Sequence, residues 1–277
     1  MSGPTPPPLP DDLVAALDAL AARRPLLVAL DFDGVLAPLV DDPSASRPLP
    51  ASATAIARLA DADDVHLALV SGRDLAGLAR LATPPTGTWL VGSHGAEHGE
   101  QTPDGVHAVP LDLTPDQRAQ HRELVAGLER VAAGAEGAWV ETKPTAAVLH
   151  TRRTPPDQAA GAVEAAVAVA TGLGLDAMRG KDVVEVAVLA TSKGQAVVAL
   201  RERLAGERSV DVGDVGVLYA GDDTTDEHAF EVLGDGDVSV KVGDGDTVAG
   251  ARVADPASVA ALLAHLADAV AAPGTSA

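Results

Sequence analysis

No cysteine occurs in the 277 residues, which excludes a disulfide framework, a thiolate metal site and a cysteine nucleophile. Aromatic residues make up 2% of the chain, so any core must be built from Ala, Val and Leu, and binding modes that stack bases on rings are disfavoured. Basic side chains are scarce beside acids, 20 against 40, and the net charge of -20 repels nucleic acid and anionic membrane alike. No apolar run reaches membrane-spanning length, and "MSGPTPPPLPDD" lacks the basic, apolar and small-residue regions of a signal peptide. The expectation is a soluble, cytoplasmic protein.

What is present is apolar residue in quantity, 47%, over a length that suits one domain with an insertion or two modest domains. The Pro-rich start, residues 1–10, is expected to be disordered, as is the tail "AAPGTSA". After a first helix, "PLLVALDFD" reads as a buried strand, and the pattern then alternates: "ATAIARLADADD" helical, "VHLALVSGRD" strand into turn, "DLAGLARLA" helical, "TWLVGSHGAEHG" strand into a glycine-rich loop. It resumes with "SKGQAVVALRERL" helical, "VGVLYAGDD" strand, "TDEHAFEVL" helical, "DVSVKVG" strand and a last helix. Such alternation implies an α/β fold with a doubly wound parallel sheet. The stretch between differs: two strand-like segments flank an Ala-rich helix, which reads as an inserted α+β cap. The expected division is 1–104 core, 105–188 cap and 189–277 core, with hinges at 99–105 and 189–192.

In an open parallel sheet, ligands gather beyond the carboxyl ends of the strands. Those ends carry Asp31 and Asp33, then Ser71, then 92–97, and finally Asp222 and Asp223. Carboxylates so placed raise one another's pKa unless a cation intervenes, and an all-oxygen donor set without cysteine suits Mg2+. Two carboxylates also permit one to act as nucleophile and the other to carry a proton. The competing structural readings are that "DFDG" is a solvated turn, that Ser71 caps the following helix, and that Asp226 and Glu227 merely decorate a helix start. Lys193 opens a helix, where the macrodipole disfavours a cation, and so points to a nearby anion.

Taken in order, "DFDGVL", "SGR", "SKG" and "GDDTTDE" resemble the four motifs of the haloacid dehalogenase-like phosphatases. Adding "GSHGAE", "ETKPTAAVLHTRR" and "GKDVVEV", the chain resembles the trehalose-6-phosphate phosphatase family. The resemblance implies a HAD-like core with a mobile cap, and hydrolysis of trehalose 6-phosphate in trehalose biosynthesis. Asp31 is then the nucleophile, Asp33 the acid and base, and Ser71 and Lys193 the phosphate holders, with backbone N–H groups near Gly34. Mg2+ falls to Asp31, the Asp33 carbonyl and Asp222, with support from Asp223. Sugar recognition falls to Arg73, to Ser93, His94, Gly95 and Glu97, and to Lys143, His150, Arg152, Lys181 and Glu185 in the cap. No second metal is expected at His94 and His98. One departure is Val35, where the superfamily usually has Thr. A related sugar-phosphate phosphatase, a phosphomutase, and a non-catalytic sugar-phosphate sensor stay open as alternatives. The expected partner is a small sugar phosphate, with functional coupling to a synthase that makes it.

Overall fold

Five consecutive apolar residues, Leu26–Leu30, form β1, and all five are buried, as a strand covered on both faces must be. Leu26, Val28 and Leu30 enter one core and Leu27 and Ala29 a second, because successive side chains alternate across the sheet. The computed structural model describes residues 8–109, 113–189 and 191–272. Its elements run α1 (Asp11–Ala21), β1, α2 (Pro50–Ala60), β2 (Val65–Val70), α3 (Leu75–Ala82), β3 (Trp89–Gly92), β4 (Glu97–Thr102) and β5 (Gly105–Val109). Then follow α4 (Pro115–Ala133), β6 (Trp139–Thr142), β7 (Ala146–His150), α5 (Pro156–Gly172), β8 (Ala177–Gly180) and β9 (Val183–Ala187). The chain closes with α6 (Lys193–Arg208), β10 (Gly216–Gly221), α7 (Glu227–Phe230), β11 (Val238–Val242), β12 (Ala251–Val253) and α8 (Pro256–Ala271).

Contacts divide the chain into two compact units, Met1–Val109 with Thr191–Ala277, and Pro110–Ala190. The first holds an eight-stranded sheet in the order β12-β11-β10-β1-β2-β3-β4-β5. Strands β12 to β3 run parallel, and β4 and β5 are antiparallel additions at one edge. One face is covered by leucines of α1, α2, α3 and α8, the other by α6 and α7 with Tyr219 and Trp89. The second unit packs α4 and α5 on one side of a sheet ordered β6-β7-β9-β8, over Leu124, Leu128, Leu149, Val184 and Val186. Its Ala-rich α5 buries only Ala162, Ala166 and Ala170, a four-residue repeat that lets the helix lie close to the sheet.

The boundary that opens the second unit departs from the sequence reading. Residues 105–109, expected to open the cap, are the second arm of a hairpin, with Thr102 paired to Gly105 and His98 to Val109. Their alternating pattern marks a strand but not which sheet it joins, and the expected hinge at 99–105 lies in this ladder and its turn. Of the other expected hinge, residue 190 falls outside the described residues, as do 1–7 of the N-terminus and 273–277 of the tail. Ser192 begins α6 as its cap, accepting the Gln195 N–H. β12 was not anticipated; three residues of mixed character carry too little pattern to announce a strand. No helix among the described residues is long and apolar enough to cross a membrane.

Candidate active site

Each of the four expected strand ends delivers its polar residue to one place. Asp31 follows β1 at the centre of the sheet, Ser71 follows β2, Ser93 follows β3 and Asp222 follows β10, so their positions are set by neighbouring parallel ladders. Asp31, Ser71 and Asp222, with His94 next to Ser93, line a cleft of about 560 Å³ together with Asp33, Arg73, Lys193, Asp223, Leu39, Val40 and Pro43.

At its floor lies an ionic cluster. Lys193 is 1% exposed, and its ammonium donates to Asp31 Oδ2 at 2.6 Å and to Asp226 Oδ1 at 2.8 Å, with Asp223 Oδ1 at 3.7 Å. Burial opposes its charge, but Asp31, Asp226 and Asp223 outweigh that and raise its pKa above the usual lysine value. Asp31 also accepts the Phe32 N–H at 2.6 Å. Its carboxyl is nevertheless pushed up to about 8, first by burial and then by the charge on Asp226, against the pull of Lys193. Lysine at a helix start, anomalous in the sequence, is thus explained by carboxylates already in the protein.

Asp226 organises the cluster. It is fully buried; Oδ1 accepts from Lys193 and from the Tyr219 hydroxyl at 2.6 Å, and Oδ2 from the N–H groups of Asp222 and Asp223 at 3.0 and 2.9 Å. The reading of Asp226 as a helix-start decoration is corrected: it is the hub that shapes the turn bearing Asp222. A Cβ at Gly221 would overlap the Asp226 side chain, which explains the glycine before the paired acids. Asp223 Oδ1 accepts from the Thr225 N–H and hydroxyl and from the Asp226 N–H, so it closes the turn. Burial alone would raise its pKa, but Lys193 and the Thr225 bonds bring it down to about 2. Lys241, in β11 and almost wholly buried, donates to the Asp222 carbonyl at 2.5 Å. The strand pattern gave no sign of it.

The donor chemistry fits a hard divalent cation. Ligand atoms of Asp31, Asp222 and Asp226 lie within 4.8 Å of one another. With both Asp226 oxygens already bonded twice, Asp31 and Asp222 are the carboxylates left to bind an ion. Asp222 is pushed up to about 6, by burial first and then by Asp226 and Asp223, against a weaker pull from Lys193 and Lys241, so its ionised form would gain from a further cation. Gly34 adopts a left-handed conformation (φ 72°), and a Cβ there would overlap the Asp222 carboxylate, so only glycine fits beside it.

Asp33 stands apart from this cluster. Arg73 grips it with Nε to Oδ2 at 2.5 Å and Nη2 to Oδ1 at 2.7 Å, and the Ser46 hydroxyl donates to Oδ1 at 2.8 Å. Arg73, expected at the sugar, is therefore engaged with the second aspartate. Ser71 is buried, and its Oγ accepts the Arg73 N–H at 3.2 Å, while Asp74 caps α3 by accepting from Gly77. The expected structural alternative for Ser71, capping that helix, is taken by Asp74.

The "GSHGAE" loop is tightly internal. Ser93 and His94 both hold left-handed backbones (φ 49° and 55°), a conformation that costs residues other than glycine. Glu97 Oε2 accepts from the Ser93 hydroxyl at 2.8 Å and from the Leu75 N–H at 3.0 Å, tying the loop to the start of α3. His94 reaches the cleft, while Ser93 and Glu97 are spent on each other. Gly95 is buried, and a Cβ there would crowd the Ser192 carbonyl.

In the second unit, Lys143 and Glu185 are joined at 2.9 Å and both partly exposed. His150 pairs with Glu141 at 2.9 Å and stacks on Trp139, centroids 4.6 Å apart and planes 3° from parallel. Arg152 and Lys181 are exposed on turns flanking the strands. Of the cap residues singled out from sequence, Lys143 and Glu185 are brought together directly.

Residues 29–256 match the sequence profile of the family described as trehalose-phosphatase. The chain is 32% identical over 273 residues to a trehalose-phosphate phosphatase of Mycobacterium marinum, covering 94% of this chain and 66% of that protein. It is 35% identical over 233 residues to one of Mycobacterium avium, covering 82% of this chain and 56% of that protein. The chain thus spans between half and two thirds of these relatives' length. An Aspergillus fumigatus trehalose-6-phosphate phosphatase structure superposes with a TM-score of 0.69 at 26% identity, over 94% of this chain and 98% of that one. The fold is accordingly that of the haloacid dehalogenase-like phosphatases. Because the profile match takes in both units rather than the cleft alone, the chain belongs to the trehalose-phosphatase family.

Proposed function

We propose that the chain is a Mg2+-dependent phosphomonoesterase that hydrolyses trehalose 6-phosphate to trehalose and inorganic phosphate through an aspartyl-phosphate on Asp31. The observation that supports this most is the contrast between its two aspartates: Asp31 is buried against Lys193, and Asp33 sits partly exposed in the same cleft, held through a different set of donors. That contrast supports a nucleophile's role for the first and a proton carrier's for the second.

In the first step an Asp31 oxygen attacks phosphorus. The bond from phosphorus to the sugar oxygen breaks, and Asp33 gives that oxygen a proton, so the sugar leaves as a neutral alcohol. Water then attacks the phosphorus of the acyl phosphate and Asp33 takes its proton. The bond to Asp31 breaks, and inorganic phosphate departs with both aspartates restored. Lys193 holds Asp31 and adds positive charge at the phosphoryl oxygens; the Ser71 hydroxyl and backbone N–H groups near Gly34 complete the phosphate cradle. Asp31, Asp222 and the Asp33 carbonyl would hold Mg2+, with Asp223 fixing their turn; when bound, the ion offsets negative charge on nucleophile and phosphoryl group.

Selection of the sugar is assigned to His94 in the cleft, to the loop that Ser93, Gly95 and Glu97 shape, and to Lys143, Glu185, His150, Arg152 and Lys181 of the second unit. A cytoplasmic setting and a synthase supplying trehalose 6-phosphate belong to the same proposal. Phosphate release from trehalose 6-phosphate, sucrose 6-phosphate and glucose 6-phosphate, with Mg2+ and with EDTA, tests it. Selective, EDTA-sensitive release from trehalose 6-phosphate is expected. Equal release from all three would discard the sugar assignment, and release from none would favour a sugar-phosphate sensor.

A further inference from the structure

We infer that Ser46 is a positioning residue for Asp33, fixing which carboxylate oxygen exchanges the proton; this rests on the phosphatase reading above. The two oxygens of Asp33 are bonded unequally. Oδ1 accepts from the Ser46 hydroxyl at 2.8 Å and from Arg73 Nη2 at 2.7 Å, whereas among the described residues Oδ2 accepts from Arg73 Nε alone, at 2.5 Å. A carboxylate oxygen has about two lone-pair sites. Oδ1 is therefore filled and Oδ2 keeps one site open, which makes Oδ2 the oxygen that serves the sugar oxygen and the attacking water.

Arg73 alone forms a planar fork that leaves either oxygen able to pick up a proton on its remaining lone pair. Ser46 removes that symmetry. Its hydroxyl has one proton to give, and at 1% exposure no water competes for it. The loop that carries it is strapped on both sides. Asp42 accepts from the Ser44 N–H and hydroxyl, Arg47 Nη1 donates to the Ser44 and Ser46 carbonyls at 3.0 and 2.6 Å, and the Leu49 N–H donates to the Leu36 carbonyl. A hydroxyl on a loop so fixed acts on the aspartate rather than following it.

A positioning role of this kind shows itself in leaving-group dependence. An alkoxide departing from a sugar needs the proton from Asp33, while p-nitrophenolate departs without one. The test is kcat/KM for trehalose 6-phosphate and for p-nitrophenyl phosphate, with Mg2+, in the unaltered chain, Ser46→Ala and Ser46→Thr. For Ser46→Ala the ratio of the two constants, sugar phosphate over aryl phosphate, is expected to fall about tenfold, a fraction of what general acid catalysis supplies. Ser46→Thr keeps the hydroxyl and is expected to restore the ratio to within about twofold. A loss shared equally by both substrates, or no change in the ratio, would overturn the inference while leaving the phosphatase reading intact. An unaltered chain that hydrolyses neither substrate would remove both.

Discussion

Lys193 and Lys143 are both assigned to the substrate, yet the two units hold them in opposite ways. Lys193 is sealed among three carboxylates, its side chain 1% exposed, whereas Lys143 forms a single pair with Glu185 and both remain open, 22% and 31% exposed. Burying ions costs several kcal/mol each unless every charge is answered, so a sealed cluster persists only where its arrangement is needed. An exposed pair is worth about 0–1 kcal/mol and can be broken and remade by an incoming sugar. On the proposed reading the difference separates the reaction from the choice of substrate: charge that stays fixed through the chemistry would lie in the larger unit, and charge that trades partners in the smaller.

The largest effect that would sharpen this contrast is loss of Asp31. Asp31→Asn is expected to lower turnover of trehalose 6-phosphate by more than about a thousandfold with the fold retained, since the carboxamide cannot form the acyl phosphate. Steady-state rates beside a circular-dichroism melt check it, and retained turnover would remove Asp31 as nucleophile. Lys193→Met should cost about 3–5 kcal/mol in denaturant unfolding, because it leaves Asp31 and Asp226 buried without their cation. A cost below about 1 kcal/mol would place Lys193 with the exposed pairs and erase the distinction.

A smaller effect comes from His66, half-buried in β2 against Trp89, with ring centroids 3.5 Å apart and no hydrogen bond to its buried Nε2 among the described residues. Burial, then Arg203, holds its pKa down at about 4 from an ordinary 6.5. The unfolded chain therefore takes up a proton that the folded one refuses. Stability from this residue is complete above pH 6.5 and is lost as pH falls toward 4, by up to about 3 kcal/mol. His66→Phe should flatten that part of the stability curve, and an unchanged slope between those pH values would exclude His66 as its source.

The smallest stability effect is expected at the exposed pair. Lys143→Ala should shift unfolding by less than about 1 kcal/mol, yet raise KM for trehalose 6-phosphate about tenfold while sparing p-nitrophenyl phosphate. Equal loss on both substrates would mean that the smaller unit takes part in the chemistry.

What the sequence made legible follows from how far each signal reaches. The run Leu26–Leu30 ending at Asp31 announces a buried strand and its functional tip because both lie within one local pattern. Lys193 was conspicuous because it opposes a helix dipole. Asp226 reads as ordinary because an acid at a helix start is ordinary; only the fold brings Lys193 of α6, Tyr219 of β10 and the N–H groups of Asp222 and Asp223 to converge on it. Ser46 sits in a loop among prolines, and nothing local connects it to an aspartate 13 residues earlier. Lys241 is hidden likewise, since its meaning depends on the neighbouring strand. Gly105–Val109 shows the same limit in the fold: alternation marks the strand, and its partner is decided by a turn.

On the proposed reading, the sealed cluster performs the reaction through an acyl phosphate on Asp31. Mixing the chain with trehalose 6-phosphate and Mg2+, quenching in acid within one turnover, reducing with borohydride and mapping peptides by mass tests it most directly. Conversion of Asp31 alone to homoserine, the mark of an acyl phosphate, is expected. Phosphate release without conversion at Asp31, or with conversion at another carboxylate, would contradict it.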